Sequence, residues 1–310
     1  MNQRAFVIGG LAALSLSAAL IGCGGGSDST DPDATPTPMG ATPTPTPGAP
    51  GVRRIVYAYQ DPVSKNTDIY TIMSDGTGKK RLTEEFANEF APDLSPDGSK
   101  IVYQSSNTIK IMNVDGTNVK TLSEYNTGHT APRFSPDGTK IVYTAIPPTG
   151  GRASVYIQAA VGGTPILISR DTAAQYGNPD FSPDGNKIVC SRFAVSGLRN
   201  GLVIMNNDGS NETTLKSSAA SLPRWSPDGS TILYRGTEGA GGEIFTIKAD
   251  GTADTKIGTG IASAWAPDGS KILFSKGTST DAMVLYAINP DGTGETLLGA
   301  TTENGFDASF

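Results

Sequence analysis

Apolar and polar positions along this chain repeat in a fixed order. Residues 134–145 read FSPDGTKIVYTA: a large apolar residue, a turn of Ser-Pro-Asp-Gly, then a short run that is apolar at consecutive positions. The same arrangement recurs as LSPDGSKIVYQ from Leu94, FSPDGNKIVCS from Phe181, WSPDGSTILYR from Trp225 and WAPDGSKILFS from Trp265. Proline sets φ at the second turn position, aspartate suits the third, and glycine takes the left-handed conformation that closes the turn. The turns Pro96-Asp97-Gly98, Pro136-Asp137-Gly138, Pro183-Asp184-Gly185, Pro227-Asp228-Gly229 and Pro267-Asp268-Gly269 are therefore each expected to join two antiparallel strands, such as Pro132–Phe134 and Ile141–Tyr143. Runs such as Ile-Val-Tyr are apolar on both faces of a strand. Such a strand must be covered on both sides.

A third strand is predicted after each pair: 68–73, 108–113, 154–159, 201–206, 243–248 and 284–289. A second tight turn follows, Asp-Gly in five units and Gly162-Gly163 in the third, and leads into a short fourth strand such as KKRLT or NVKTL. The motif prolines are spaced by 40, 47, 44 and 40 residues. Four antiparallel strands per repeat of that length predict an all-β propeller, each repeat forming one blade. Arg54-Ile55-Val56-Tyr57 aligns with Lys100-Ile101-Val102-Tyr103, the second strand of a unit, with no first strand before it. Phe306–Phe310 matches the first strand around Ala91–Leu94. The last residues should complete the N-terminal sheet, giving six blades, with one strand of the first blade supplied from the far end of the chain and no sheet edge left open.

The FSPDG–KIVY–DIYTIM–DG–RLT order over residues 53–310 resembles the TolB-like propellers of the bacterial envelope. Similar repeats form the non-catalytic propeller of prolyl oligopeptidase-type enzymes. The resemblance implies a six-bladed fold, with the α/β domain that precedes the TolB propeller replaced here by residues 23–52, so that the chain is TolB-like rather than TolB itself.

The N-terminal 52 residues follow other rules. Asn2-Gln3-Arg4 and an Ala- and Gly-rich apolar stretch predict an export signal over 1–22. Leu20-Ile21-Gly22-Cys23 resembles a bacterial lipobox, which implies lipid attachment at Cys23 and residence at the cell envelope, with the outer membrane or cell surface favoured. An apolar stretch of that length is also close to the minimum for a membrane span, about 17 residues. Residues 23–52 carry Gly, Ser and Thr-Pro repeats with no aromatic side chain, so an extended tether is expected there.

Composition narrows the function. The formal charge of −6 and the scatter of Lys and Arg argue against nucleic acid. Ten of the 30 acidic residues are aspartates followed by glycine, which is turn chemistry. After Cys23 only Cys190 remains, so no disulfide within the mature domain is expected, and Cys190 should be an apolar filler. No G-x-S-x-G motif occurs, and the single histidine, His129, excludes H-E-x-x-H. NVDGTN and MNNDGSNE would put Ile111 and Ile204 at the first ligand position of a calcium loop, so both are strand-joining turns. No cofactor or metal is expected.

The regular turns should share one face of the disc, and the variable loops the other. That loop face collects Phe86, Phe90, Tyr125, His129, Arg152, Tyr176, Arg192, Phe193 and Arg199, residue types that anchor partners. The expectation is a monomeric, non-enzymatic module that binds an envelope protein or peptide. The alternatives are a channel-site enzyme of the lactonase or cyclotransferase kind, with Glu89 or Glu303 near the channel, and a glycan-binding surface protein.

Overall fold

The computed structural model describes residues 52–61, 63–123, 130–147, 150–194, 200–236, 242–278, 282–298 and 305–310. Their strands form six four-stranded antiparallel sheets. Blade 1 runs Gly305–Ser309, Arg54–Gln60, Thr67–Met73 and Lys80–Arg81; blade 2, Glu89–Leu94, Lys100–Ser105, Thr108–Asn113 and Lys120–Thr121. Blade 3 runs Thr130–Phe134, Lys140–Ala145, Ser154–Ala159 and Ile166–Leu167; blade 4, Ala174–Phe181, Lys187–Ala194, Asn200–Asn206 and Thr213–Lys216. Blade 5 runs Ala220–Trp225, Thr231–Gly236, Glu243–Lys248 and Thr255–Thr259; blade 6, Ile261–Trp265, Ile272–Thr278, Ala282–Ile288 and Thr296–Leu297.

The expected ring closure is present. Gly305–Ser309 pairs with the second strand of blade 1 through Val56↔Ser309, Tyr57↔Ala308, Ala58↔Phe306 and Tyr59↔Gly305. One sheet is thus made from both ends of the domain.

The doubly apolar runs explain why the sheets stack. In each second strand the first two apolar residues point to opposite sides. Ile101 packs with Val56 and Ile69 of blade 1, while Val102 packs with Phe134 and Ile141 of blade 3. The split repeats around the ring, for instance with Ile188 toward blade 3 and Val189 toward blade 5. Leu273 of blade 6 and Ile55 of blade 1 meet across the closing seam. Burying each such side chain is worth about 1.5–3 kcal/mol, so the interfaces between blades carry the stability. Cys190 lies among these residues between blades 3 and 4, where burial pushes its thiol pKa up.

The turn glycines are left-handed, with φ of 69° at Gly138, and the turn's own side chains hold it. In Ser135-Pro136-Asp137-Gly138, the Ser135 hydroxyl donates to Asp137 at 2.5 Å and accepts the Lys140 N–H at 2.9 Å. The Ser135 hydroxyl, with the Thr139 N–H, holds the Asp137 carboxyl down at about 2. Blade 6 has Ala266 in place of this serine.

Candidate functional site

The first strands line the central channel, and each carries an irregularity that decides what faces inward. Register shifts fall between Phe90 and Asp93, Thr130 and Arg133, Gly177 and Asp180, and Ser221 and Arg224. At each of these bulges a residue other than glycine is left-handed: Ala91, Ala131, Asn178 and Leu222, with φ of 49°, 51°, 52° and 54°. A bulge bends its strand and re-aims the next side chains. Here the residue after the first-strand proline turns into the channel. Around the ring these are Asp93, Arg133, Asp180 and Arg224, followed by Ala264 of blade 6 and Ser309 of blade 1.

The two aspartates fasten neighbouring blades. Asp93 accepts the Phe134 N–H of blade 3 at 2.9 Å and the Ser309 hydroxyl of blade 1, also at 2.9 Å. It therefore ties the closing strand to two other blades. Asp180 accepts the Trp225 N–H of blade 5 at 2.8 Å. Enclosure in the channel raises both carboxyls, Asp180 to about 7, with the Trp225 N–H and Arg133 opposing the rise. Arg133 and Arg224 donate to the carbonyls of Pro132 and Pro223, at 2.9 and 2.8 Å. A cavity of about 140 Å³ lies between these groups and Trp225, Trp265, Ala264 and Ala308.

The channel opens on the turn face into a depression of about 620 Å³. Five equivalent prolines, Pro96, Pro136, Pro183, Pro227 and Pro267, form its collar. Successive turns lie side by side: a Cβ added at Gly138 would sit 3.7 Å from Cδ of Pro96, and one at Gly185 would sit 3.8 Å from Cδ of Pro136. Phe310, Arg53 and Arg54 take the place of the sixth turn, and Leu94 completes the wall. Arg53 leans on Asp268 at 3.6 Å, a half-exposed pair of little energetic weight.

The loop face is less uniform than expected. Phe86 is 99% exposed. Phe90, Arg152 and Phe193 are half-buried, and Phe193 packs over Gly177. Tyr176 is not a surface anchor. It is 1% exposed, and its hydroxyl donates to Glu212 at 2.7 Å. Arg192 is committed to Asp171 and Glu212. Tyr125, His129, Arg199, Glu303 and Cys23 lie outside the described residues.

Glu89 is also misplaced by the sequence reading. It does not line the channel cavity but is fully buried at the seam of blades 1 and 2. There burial pushes its carboxyl up to about 7, against the Thr83 hydroxyl, which lowers it. Among the described residues, no group of three or more His, Cys, Asp or Glu is placed to hold a metal. The channel charges were missed, although a signal existed: the residue after the first-strand proline alternates in the order Asp, Arg, Asp, Arg over four repeats.

These features define a closed six-bladed propeller with a charged inner ring and a proline-collared mouth. The family model described as the TolB beta propeller domain matches residues 104–309, and the chain belongs to that family. Comparison with curated proteins gives no match. Among solved structures, TolB from Acinetobacter baumannii superposes with a TM-score of 0.71 at 16% identity, over 83% of this chain and 66% of that one. A TolB from Agrobacterium tumefaciens gives 0.64 at 17% identity, over 83% and 91%. An oligogalacturonate lyase from Vibrio parahaemolyticus gives 0.54 at 17% identity, over 78% of each chain. At such identities the likeness is one of fold.

Proposed function

We propose that this chain is a non-enzymatic binding module for an envelope protein or peptide. It is exported, cut after residue 22 and held at the bacterial surface or outer membrane by a lipid on Cys23, with residues 23–52 as tether. The observation that carries the reading is the 620 Å³ depression at the channel mouth. It offers a concave, rigid surface of proline rings with Phe310 and Leu94, rimmed by Arg53 and Arg54. A mix of apolar floor and arginine rim is typical of protein-recognition surfaces. Its walls are turns held by proline and by their own hydrogen bonds, as in Gly138 N–H to the Ser135 carbonyl, so little entropy is lost by the site when it is occupied.

Crosslinking the full chain in its native envelope tests the reading. An Arg54→Glu, Leu94→Asp variant should lose the partner that the parent chain captures, while Phe86→Ser on the loop face should keep it. Loss through Phe86→Ser alone would move the contact to the loop face. Absence of any specific partner for either face would remove the binding role. Cys23→Ser should release the protein from the membrane fraction, and continued membrane association would contradict lipid anchoring.

A further inference from the structure

The channel cavity beneath the collar has a chemistry that docking at the mouth does not use. Arg133 is 4% exposed and spends one guanidinium nitrogen on the carbonyls of Ala91 and Pro132. Asp93 and Asp180 lie to either side of it, yet among the described residues Arg133 forms no ion pair within 4 Å. Those acids already accept from the Phe134 N–H, the Ser309 hydroxyl and the Trp225 N–H. The indole N–H of Trp225, whose side chain forms part of the same wall, is buried with no acceptor among the described residues. Opposite them the wall is Ala264 and Ala308, which leaves the 140 Å³ of space. A buried guanidinium and an unmet indole donor call for an acceptor that carries charge. The volume limits it to a few heavy atoms, and the groups left to bind it, guanidinium and indole N–H donors, suit an anion's acceptor atoms rather than a metal cation, since Asp93 and Asp180 already accept from other donors.

We infer that the channel is a binding site for a small carboxylate, seated against Ala264 between Arg133 and Arg224. The carboxylate is either a free small acid or the side chain of an acidic residue that reaches down through the collar. The site lies beneath the mouth, and its binding of a free acid does not depend on the partner proposed above.

The chain contains only two tryptophans, Trp225 and Trp265, and both line this cavity, so intrinsic fluorescence reports on it directly. The full chain is titrated with sodium acetate, with a short Asp-containing peptide and with inorganic phosphate at constant ionic strength. The expected result is a saturable change in emission with acetate, or with the peptide where the carboxylate belongs to a partner. Ala264→Leu fills the space without touching a charge and should weaken that response at least tenfold. Arg133→Gln should do the same. Both variants are checked for a cooperative melt, and Ala264→Leu alone decides the matter where Arg133→Gln does not fold. No saturable response to either carboxylate, an unaltered response in Ala264→Leu, or a response to phosphate alone would overturn the assignment.

Discussion

The inner Pro-Asp-Gly turns and the outer Asp-Gly turns share a dipeptide and do different jobs. Inner Pro-Asp-Gly glycines are left-handed but uncrowded, as at Gly138 with φ of 69° and a proline carbon 3.7 Å from an added Cβ. Outer Asp-Gly glycines are left-handed too, and at Gly116, Gly209 and Gly292 they also press onto the preceding blade, whereas Gly76 and Gly251 have room for a Cβ. A Cβ at Gly209 would fall 2.0 Å from the Ile168 carbonyl oxygen, and one at Gly292 would fall 2.6 Å from that of Ile257. The inner turn needs glycine for its own conformation. At Gly209 and Gly292 the outer turn needs it also so that two sheets can touch. An identical dipeptide is a local device at the hub and an assembly device at the rim.

The widest separation between the two should come from Gly209→Ala. Strain and a backbone clash add there, costing about 3 kcal/mol, which thermal melting would show as a drop of roughly 10 °C. A loss no greater than at the hub would erase the distinction. Next in size is a pH effect at the seam of blades 1 and 2, where the folded protein holds Glu89 at about 7 against an ordinary 4.5. Because the native state binds that proton more tightly, its contribution is fully present below about pH 4.5. It declines as the unfolded chain ionises and is gone once the pH has risen through about 7. Glu89→Gln should therefore remove about 2 kcal/mol of pH-dependent stability between pH 5 and pH 8 in denaturant titrations. Parallel curves for the two proteins would show that Glu89 titrates normally.

Asp93→Ala comes third. It leaves the Phe134 N–H without its acceptor and frees Ser309, for a loss of about 1.5 kcal/mol; a cost of a few tenths would mean the channel aspartate is ornamental. Smallest is Gly138→Ala at the hub, about 1 kcal/mol from φ alone. A neutral result there would mean that the hub turn does not need the left-handed form.

Much of this architecture could be read before any coordinates. Ile101-Val102 and its counterparts announce a doubly covered strand because both residues are apolar, and the match of Phe306–Phe310 to Ala91–Leu94 announces the closure. The inner ring could not be derived from alternation, because a bulge at Ala91 or Ala131 breaks the two-residue period where it matters. Tyr176 was misjudged because its partner, Glu212, stands 36 positions away on another turn. Glu89 is an acidic candidate near the channel by sequence, but the bulge lies beyond it and Asp93 is the acid of this strand carried inward. Long-range polar partners and backbone irregularities leave little trace in hydropathy.

Closure of the ring by residues 305–309 is the claim on which the faces, the mouth and the channel all rest. Native-state hydrogen exchange resolved at the Val56–Tyr59 amides tests it most directly. The account predicts that these amides exchange as slowly as those of Val102–Ser105, and that removing Phe306–Phe310 makes Val56–Tyr59 exchange fast while lowering the melting temperature. Fast exchange of Val56–Tyr59 in the intact chain, or no change on truncation, would contradict it.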